Sequence, residues 1–298
     1  MNGIRRPVVV VGIDGSPSSL AAAAWAADEA ALRKLPLRLV HAYTVPVMGV
    51  PAYGIPPDLS EGLRVSGQEA LEAASRTIAN RHPDLEVSAE LLNADPRPAL
   101  VDASAEATLT VVGTRGGGRI PEVVLGSVAL HVAAHGRSPV AVISLNAGEA
   151  STGTVLLGVD GSRTSEAAVG FAFEEADRRA AMLDAVLVWD DLALRGYAGS
   201  VEIGQLEDEE EHAVLAEQLA GWRDKYPDVP VRQTILRGRP ADALLHYGAL
   251  SEATRPQLVV VGSRGRGGLS GLLLGSTSQS LICHAHWPVI VVRGSTAH

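Results

Sequence analysis

The chain has 298 residues, of which 46% are hydrophobic and 20% are charged, and its formal net charge is −9. This acidic balance argues against a general nucleic-acid surface, which requires a basic patch, and no apolar run approaches the roughly 20 residues of a membrane-spanning helix. The single cysteine, Cys283, and an apolar run at 8–13 that is too short for a signal-peptide core predict a cytoplasmic protein without a membrane span.

The first half of the chain alternates apolar runs with longer Ala-rich stretches. In chain order we predict strands at 8–13, 37–42, 85–92, 110–112 and 139–144, and helices at 18–35, 65–81, 98–107 and 127–135. Residues 44–62 hold four prolines, so we predict a long loop there.

The second half repeats this order, since VVVVGIDGS at 8–16 matches TVLLGVDGS at 154–162. We predict strands at 154–159, 183–189, 229–236, 258–261 and 288–293, and helices at 163–181, 205–226, 240–253 and 276–285. The repeat predicts two similar domains, residues 1–145 and 154–298, joined by a linker at about 146–153. Strands that alternate with helices predict an α/β, Rossmann-like fold in each, a five-stranded parallel sheet with helices on both faces.

Both halves carry one glycine spacing, G-x2-G-x9-G-S, at residues 113–127 and 262–276. Each copy follows the predicted carboxyl end of a strand, where open α/β sheets bind their ligands. Glycines let backbone amides approach a phosphate closely. Ser127 and Ser276 are predicted to cap the next helix, whose N-terminus favours negative charge. The spacing therefore predicts two phosphate-binding loops.

Other residues near these loops have two interpretations each. Asp14 and Asp160 end the first strand of each half, where a carboxylate can bind a ribose hydroxyl, a base amino group or a cation; the alternative is a turn aspartate. Val40 and Val186 align in the second strand, where their backbone could meet an adenine edge, although any buried strand would carry valine.

Arginines also recur beside the glycines. Arg115 and Arg264 are aligned, so both can face the same ligand region, and the alternative is that they are solvated loop residues. The first copy carries Glu122 inside the spacing, and its negative charge predicts that, if one phosphate site is weaker, it is the first.

Three other kinds of site are not favoured. The Walker spacing G-x4-G-K-[ST] is absent, and a dinucleotide fingerprint would have to follow the first strand. Cys283-His284-Ala285-His286 is interpreted as a helix end rather than a metal site, because His284 aligns with His135. His41 has Leu187 as its counterpart, which indicates packing.

Taken together, these motifs resemble the universal stress protein family in its tandem two-domain form. The resemblance rests on the G-I-D-G-S and G-V-D-G-S turns, the V-V-G-[TS]-R-G stretches, the glycine spacing and the closing Pro-Val strands, and it covers nearly the whole chain. It implies ATP binding in both halves, with or without Mg²⁺. The implied contacts of the first site are Gly12, Asp14, Val40, Gly113, Thr114, Arg115, Gly116, Gly117, Gly118, Gly126, Ser127 and Val128. Those of the second are Gly158, Asp160, Val186, Gly262, Ser263, Arg264, Gly265, Arg266, Gly267, Gly268, Gly275, Ser276 and Thr277.

Three functions remain open at this point. The resemblance implies an ATP-binding regulatory protein of stress adaptation or growth control, a homodimer of tandem chains with an unidentified protein partner and at most slow hydrolysis. The alternative is a nucleotide α-hydrolase-like enzyme with slow ATP turnover. The third is a structural dimer module whose glycine loops only form tight turns.

Overall fold

A computed structural model of the chain describes residues 6–45, 57–114, 125–145, 147, 153–162, 165–189, 209–265 and 273–294. The chain divides into two compact units, Met1–Leu145 and Asn146–His298. None of the helices in the described part of the chain combines the length and the apolar character that crossing a membrane requires.

Unit 1 is a parallel sheet with helices on both faces. Over the described residues its strands are β1 (Val8–Gly12), β2 (Leu37–Tyr43), β3 (Val87–Asn93), β4 (Ala107–Gly113) and β5 (Val140–Ile143), and its helices are α1 (Pro17–Arg33), α2 (Pro57–Arg81), α3 (Pro96–Ser104) and α4 (Ser127–His135). The strand order is β3-β2-β1-β4-β5, and every pair is parallel. The helices α1 and α2 pack together, as do α3 and α4, and each pair contacts the sheet.

Unit 2 has the same architecture. Over its described residues the strands are β6 (Thr154–Val159), β7 (Leu183–Trp189), β8 (Val231–Arg237), β9 (Pro256–Gly262) and β10 (Val289–Val292), and the helices are α5 (Glu166–Arg178), α6 (Glu209–Lys225), α7 (Pro240–Ala249) and α8 (Ser276–His284). The order is β8-β7-β6-β9-β10, again with parallel pairing throughout. The predicted fold class is therefore confirmed.

The composition of β1 and α1 explains their position at the centre of unit 1. Val9, Val10 and Val11 are fully buried, as expected for a strand that is covered on both faces. On α1, Ala22 and Ala26 are also fully buried, one helical turn apart. Their small side chains let the helix axis lie close to the sheet.

The prediction of a loop over residues 44–62 was wrong at its end, because α2 begins at Pro57. Proline is well suited to the first helical position, where its missing N–H needs no partner. Within this first part of the helix, Arg64 donates a hydrogen bond of 2.6 Å to Glu61, an i,i+3 pair. The remaining predicted loop residues, 46–56, lie outside the described residues.

Several other helix ends also differ from the prediction, among them those of α3 and α7 and that of α5, which was predicted at 163–181 and spans Glu166–Arg178. The helix predicted at 98–107 spans Pro96–Ser104, because Asp95 caps it by accepting a hydrogen bond of 2.9 Å from the Arg97 amide. The helix predicted at 240–253 ends at Ala249, and the Thr254 amide donates to the Ser251 carbonyl at 3.2 Å in the turn that follows.

Candidate functional site

The turn after β1 positions Asp14 at the carboxyl edge of the unit 1 sheet. One oxygen of Asp14, Oδ1, accepts hydrogen bonds from the Ser16 amide at 2.9 Å and from the Ser16 hydroxyl at 2.5 Å. Between them Gly15 has a φ of +80°, a left-handed conformation that glycine adopts at little cost. Asp14 thus stabilises the turn, and the residue is exposed at the carboxyl edge of the sheet.

The turn after β6 repeats this geometry in unit 2. Asp160 Oδ1 accepts from the Ser162 amide at 3.0 Å and from the Ser162 hydroxyl at 2.7 Å, and Gly161 has a φ of +73°. The other carboxylate oxygen of Asp160 lies beside Gly265, since a Cβ built on this glycine would meet Oδ2 at 2.7 Å. In unit 2 the turn aspartate and the glycine motif are therefore in direct contact.

In each unit the two ends of the glycine motif are joined by a backbone hydrogen bond. The Gly126 amide donates to the Thr114 carbonyl at 2.8 Å, and the Gly275 amide donates to the Ser263 carbonyl at 2.7 Å. Each hydrogen bond closes the intervening residues into a loop. Seven predicted contacts fall within these loops and outside the described residues: Arg115, Gly116, Gly117, Gly118, Arg266, Gly267 and Gly268.

The helices α4 and α8 start immediately after these closures. Their N-cap residues are Gly126 and Gly275, and neither helix has a side-chain cap hydrogen bond. The prediction that Ser127 and Ser276 cap the helices was wrong, because both are the first helical residue. A glycine cap leaves the amides of the first turn without a side-chain acceptor, so they can donate to an anion.

The second helical residues, Val128 and Thr277, are both half-buried. Their amides belong to the first helical turn, in which the backbone has no intrahelical acceptor. These two residues can therefore bind an anion through their backbone amides.

Several predicted site glycines are also closely packed, and Gly113 is the most restricted of them. A Cβ on Gly113 would lie 2.7 Å from the backbone carbonyl of Ser18 in α1, and a Cβ on Gly12 would lie 2.9 Å from Leu100 in α3. In unit 2 a Cβ on Gly158 would meet Leu244 and Val261 at 3.0 Å. Gly113 faces backbone and therefore has a structural role independent of any ligand, whereas at Gly12 and Gly158 only side-chain atoms would have to shift.

The predicted valines could contact a ligand only through their backbone. The exposed fraction is 1% for Val40 and 0% for Val186, so neither side chain reaches the edge of the sheet. The Val40 carbonyl already accepts a hydrogen bond of 2.9 Å from the Ile13 amide. A carbonyl oxygen has a second lone pair, which leaves Val40 one further acceptor position.

An arginine that we did not predict lies beside the second glycine motif. Arg293 directly follows β10, whose last residue Val292 pairs with Gly262. The pKa of Arg293 is lowered, first by burial and then by the positive charge of Arg264. The aligned residue of unit 1 is Ser144, and this mismatch between the two copies was the available sequence signal.

His41 lies next to the turn aspartate of unit 1. Its ring packs under α2, where a Cβ on Gly67 would lie 2.7 Å from the ring carbon Cδ2. Burial lowers the pKa of His41, whereas a hydrogen bond with the Ile13 backbone and the charge of Asp14 raise it by less. The predicted packing role fits this position, although the Nδ1 atom is buried without a hydrogen-bond partner among the described residues.

A cleft of about 440 Å³ lies at the opposite edge of the unit 1 sheet. Its lining includes Lys34 at the end of α1, Pro36 before β2 and Glu86 before β3. Because these residues are at the amino ends of the strands, the cleft is separate from the glycine motif.

Within the described ranges, no group of three or more His, Cys, Asp or Glu side chains is placed to hold a metal ion. A Mg²⁺ ion at Asp14 or Asp160 would therefore depend on phosphate oxygens and water for most of its ligands, which is the usual binding mode of this ion.

The sequence profile of the Universal stress protein family matches residues 6–144 and again residues 152–293. The chain belongs to this family. A universal stress protein of Mycobacterium tuberculosis (strain H37Rv) is 40% identical over 295 residues, covering 96% of this chain and 97% of the relative. A universal stress protein of Mycolicibacterium smegmatis is 40% identical over 294 residues, covering 96% of each chain.

Solved structures of the universal stress protein family share the fold over the full length of the chain. The crystal structure of a universal stress protein from Archaeoglobus fulgidus superposes with a TM-score of 0.71 at 19% identity, covering 97% of this chain and 98% of that one. The predicted membership in the family, in its tandem form, is confirmed by the two profile matches.

Proposed function

We propose that this universal stress protein binds ATP in both units and acts as a regulatory protein in stress adaptation or growth control. The observation that carries the proposal is the closed loop in front of an uncapped helix. In each unit the glycine motif is closed by a backbone hydrogen bond, and the next helix begins without a side-chain cap. Such a helix N-terminus combines free amide donors with the positive end of the helix dipole.

We assign the triphosphate to this end of the site. The amides of Ser127 and Val128 in unit 1, and of Ser276 and Thr277 in unit 2, lie in the first turn of their helices. The exposed Ser127 and Ser276 add a hydroxyl donor. The loop glycines in front of these helices would allow the backbone to approach the phosphates closely.

We assign the nucleoside to the turn after the first strand of each unit. The contact between Asp160 and Gly265 supports this arrangement, since it joins the turn to the start of the glycine motif. A carboxylate there can accept a hydrogen bond from a ribose hydroxyl. Mg²⁺, where it accompanies ATP, would be held mainly by phosphate oxygens and water.

We infer that the second unit binds ATP more tightly than the first. Arg264 and Arg293 are close enough for one charge to lower the pKa of the other guanidinium, and such a pair favours a polyvalent anion. Unit 1 has Ser144 where unit 2 has Arg293. The negative charge of Glu122 in the first glycine motif also lowers the affinity of unit 1 for a polyphosphate.

The test is to place a negative charge at each helix start in turn. Ser127→Asp should abolish ATP binding in unit 1, and Ser276→Asp should abolish it in unit 2, because the new carboxylate repels the phosphates. Aspartate at a helix N-terminus stabilises the helix, so both variants should fold. Isothermal titration calorimetry with ATP should give two sites in the wild type and one in each variant, with Ser127→Ala and Ser276→Ala as controls that keep both sites.

Two ATP sites in both aspartate variants would contradict the assignment of the phosphates. The alternative of a nucleotide α-hydrolase-like enzyme is tested on the same samples. It requires repeated turnover of ATP to ADP or AMP at each site in the presence of Mg²⁺, whereas the regulatory function is compatible with at most slow loss of the bound ATP.

We further infer a cytoplasmic homodimer of tandem chains with an unidentified protein partner. The single cysteine, Cys283, is half-buried, and burial raises the pKa of its thiol, which fits a protein of a reducing compartment. Light scattering of the purified protein should give twice the chain mass of 31.0 kDa. A mass equal to one chain at micromolar concentration would exclude the dimer.

A further inference from the structure

Buried serines at the start of α1 continue from the turn aspartate of unit 1. Ser16 and Ser18 have exposed fractions of 6% and 4%. The Ser16 hydroxyl donates to Asp14 Oδ1 at 2.5 Å, and the hydroxyl oxygens of Ser16 and Ser18 are 3.2 Å apart. Because a hydroxyl has one proton and that of Ser16 is directed at the carboxylate, the Ser18 hydroxyl is the donor in the second contact.

Ser18 also touches the glycine motif. A Cβ on Gly113 would lie 2.7 Å from the Ser18 carbonyl oxygen and 2.9 Å from its hydroxyl oxygen, so the two residues are in direct contact. The next residue, Thr114, accepts the hydrogen bond of 2.8 Å from the Gly126 amide that closes the motif, and Gly126 is the N-cap of α4. A continuous series of contacts therefore runs from Asp14 to the start of α4.

We propose that Ser18 is a positioning residue of the first ATP site. Its hydroxyl holds the Asp14 carboxylate, through Ser16, in a fixed place relative to the helix N-terminus that binds the phosphates. Hydrogen bonds in such a chain strengthen one another. The role rests on the proposed function, because Asp14 and the start of α4 are the two parts of the site to which we assign the nucleoside and the triphosphate.

The Ser18 hydroxyl is not needed to begin α1. The helix cap is Ser16, whose side chain accepts a hydrogen bond of 3.2 Å from the Ser19 amide. Ser18 lies inside the first turn, where alanine is a better helix former than serine. Ser18→Ala therefore removes the link to Asp14 and leaves both the cap and the backbone contact with Gly113 in place.

A second variant restores the hydroxyl at this position. The aligned residue of unit 2 is Thr164, which lies outside the described residues but shows that the repeat carries a hydroxyl there in both copies. Ser18→Thr should therefore recover the function that Ser18→Ala loses. A control for the loss of any buried hydroxyl is Ser104→Ala, at the end of α3, where the hydroxyl donates to the Val101 carbonyl at 2.6 Å.

The test uses the full chain with Ser276→Asp, which confines ATP binding to unit 1, and calorimetry with two probes. ATP requires both parts of the site, whereas inorganic tripolyphosphate requires only the helix N-terminus. We expect Ser18→Ala to lower the affinity for ATP about two- to tenfold, the range of one neutral hydrogen bond, and to leave the affinity for tripolyphosphate unchanged. Ser18→Thr and Ser104→Ala should bind both probes as the parent does.

The inference alone is overturned if the parent binds both probes and Ser18→Ala binds ATP as tightly, or loses ATP and tripolyphosphate alike. A Ser18→Thr variant that does not recover ATP binding also overturns it. A parent that binds ATP but no tripolyphosphate would show that the phosphate end does not act separately, which removes the positioning role. No ATP, or two ATP, on the parent would instead contradict the proposed assignment of the site, and the role of Ser18 with it.

Discussion

The carboxylate of Asp160 lies directly against the backbone of Gly265, so that a methyl group on this glycine would meet Oδ2 at 2.7 Å. Asp160 begins the turn after β6, and Gly265 is the second glycine of the motif that starts at the end of β9. The contact therefore joins the two parts of unit 2 to which we assign the nucleoside and the phosphates.

We predict that Gly265→Ala weakens ATP binding by the second unit about tenfold, or about 1.4 kcal/mol. The added methyl group displaces either the Asp160 carboxylate or the start of the loop. Calorimetry with ATP measures the loss. The matched control is Gly221→Ala in α6, where a Cβ meets nothing within 4 Å.

The control variant should keep its ATP affinity and gain up to about 1 kcal/mol of stability, because alanine is the better helix former. If Gly265→Ala binds ATP as tightly as Gly221→Ala does, the contact between Asp160 and Gly265 has no part in the site.

Arg293→Ser and Ser144→Arg together should make the first unit, and no longer the second, the one that binds polyphosphates more tightly. In the proposed site Arg293 would donate a charge-assisted hydrogen bond to phosphate, worth about 1.5–3 kcal/mol, so we expect Arg293→Ser to lower the ATP affinity of the second unit at least about tenfold. Ser144→Arg should raise the ATP affinity of the first unit. The measurement is a titration of both variants with ATP and with AMP.

The comparison of the two nucleotides isolates the phosphate contact. AMP lacks the terminal phosphates, so its affinity should change little in Arg293→Ser. Equal losses for AMP and ATP would show that Arg293 acts on the fold of the site instead of on the polyphosphate.

Substitution of His41 by leucine, its counterpart in unit 2, should flatten the pH dependence of stability of unit 1. Burial lowers the pKa of His41, so the folded state binds the proton less readily than the unfolded state, whose pKa is about 6.5. The stability that comes from the neutral ring is present above this value and is lost as the pH falls through the lowered pKa.

Urea unfolding at pH 7.5 and at pH 5 measures this effect. The wild type should lose more stability than His41→Leu between the two conditions, and the variant should be the more stable one at pH 5, since it also removes a buried nitrogen without a partner. Equal losses in the two proteins would contradict the account of His41.

Asp184 should be among the most costly residues to replace in unit 2. Its carboxylate is fully buried, accepts hydrogen bonds of 3.0 and 3.2 Å from the Tyr247 hydroxyl, and is paired with Arg232. Asp184→Ala removes the carboxylate that both partners bind, which leaves Arg232 only the Ala253 carbonyl and Tyr247 only the Thr234 hydroxyl. The loss should lower the free energy of unfolding by about 3–5 kcal/mol.

The exposed Asp224 of α6 provides the control for Asp184. Asp224→Ala should change stability by no more than about 0.5 kcal/mol, as is usual for surface positions. The free energies of unfolding are measured by thermal or urea unfolding. Similar losses of stability in the two variants would refute the prediction.

The fold could be predicted from the sequence because its signals are local and occur twice. Runs such as Val8–Val11 indicate buried parallel strands, and each has a counterpart in the second half. The start of α2 was missed because the proline at position 57 was interpreted as part of a loop, although proline is favoured at a first helical position.

The site was only partly predictable, since its contacts join residues that are distant in the chain. The sequence indicates that Asp160 and Gly265 both follow strands, but their direct contact depends on how β6 and β9 pair. The cap of α8 differs by one residue from the prediction, because the backbone conformation at Gly275 decides which residue begins the helix.

The central claim, two ATP sites in one chain, is tested most directly by the nucleotide that the purified protein carries. The protein is denatured, and the released nucleotide is identified by chromatography and quantified against protein concentration, before and after saturation with ATP and Mg²⁺. The account predicts about two ATP per chain after saturation, with the second unit filled first. No retained nucleotide and no ATP binding would contradict it and leave the glycine loops with a structural role alone.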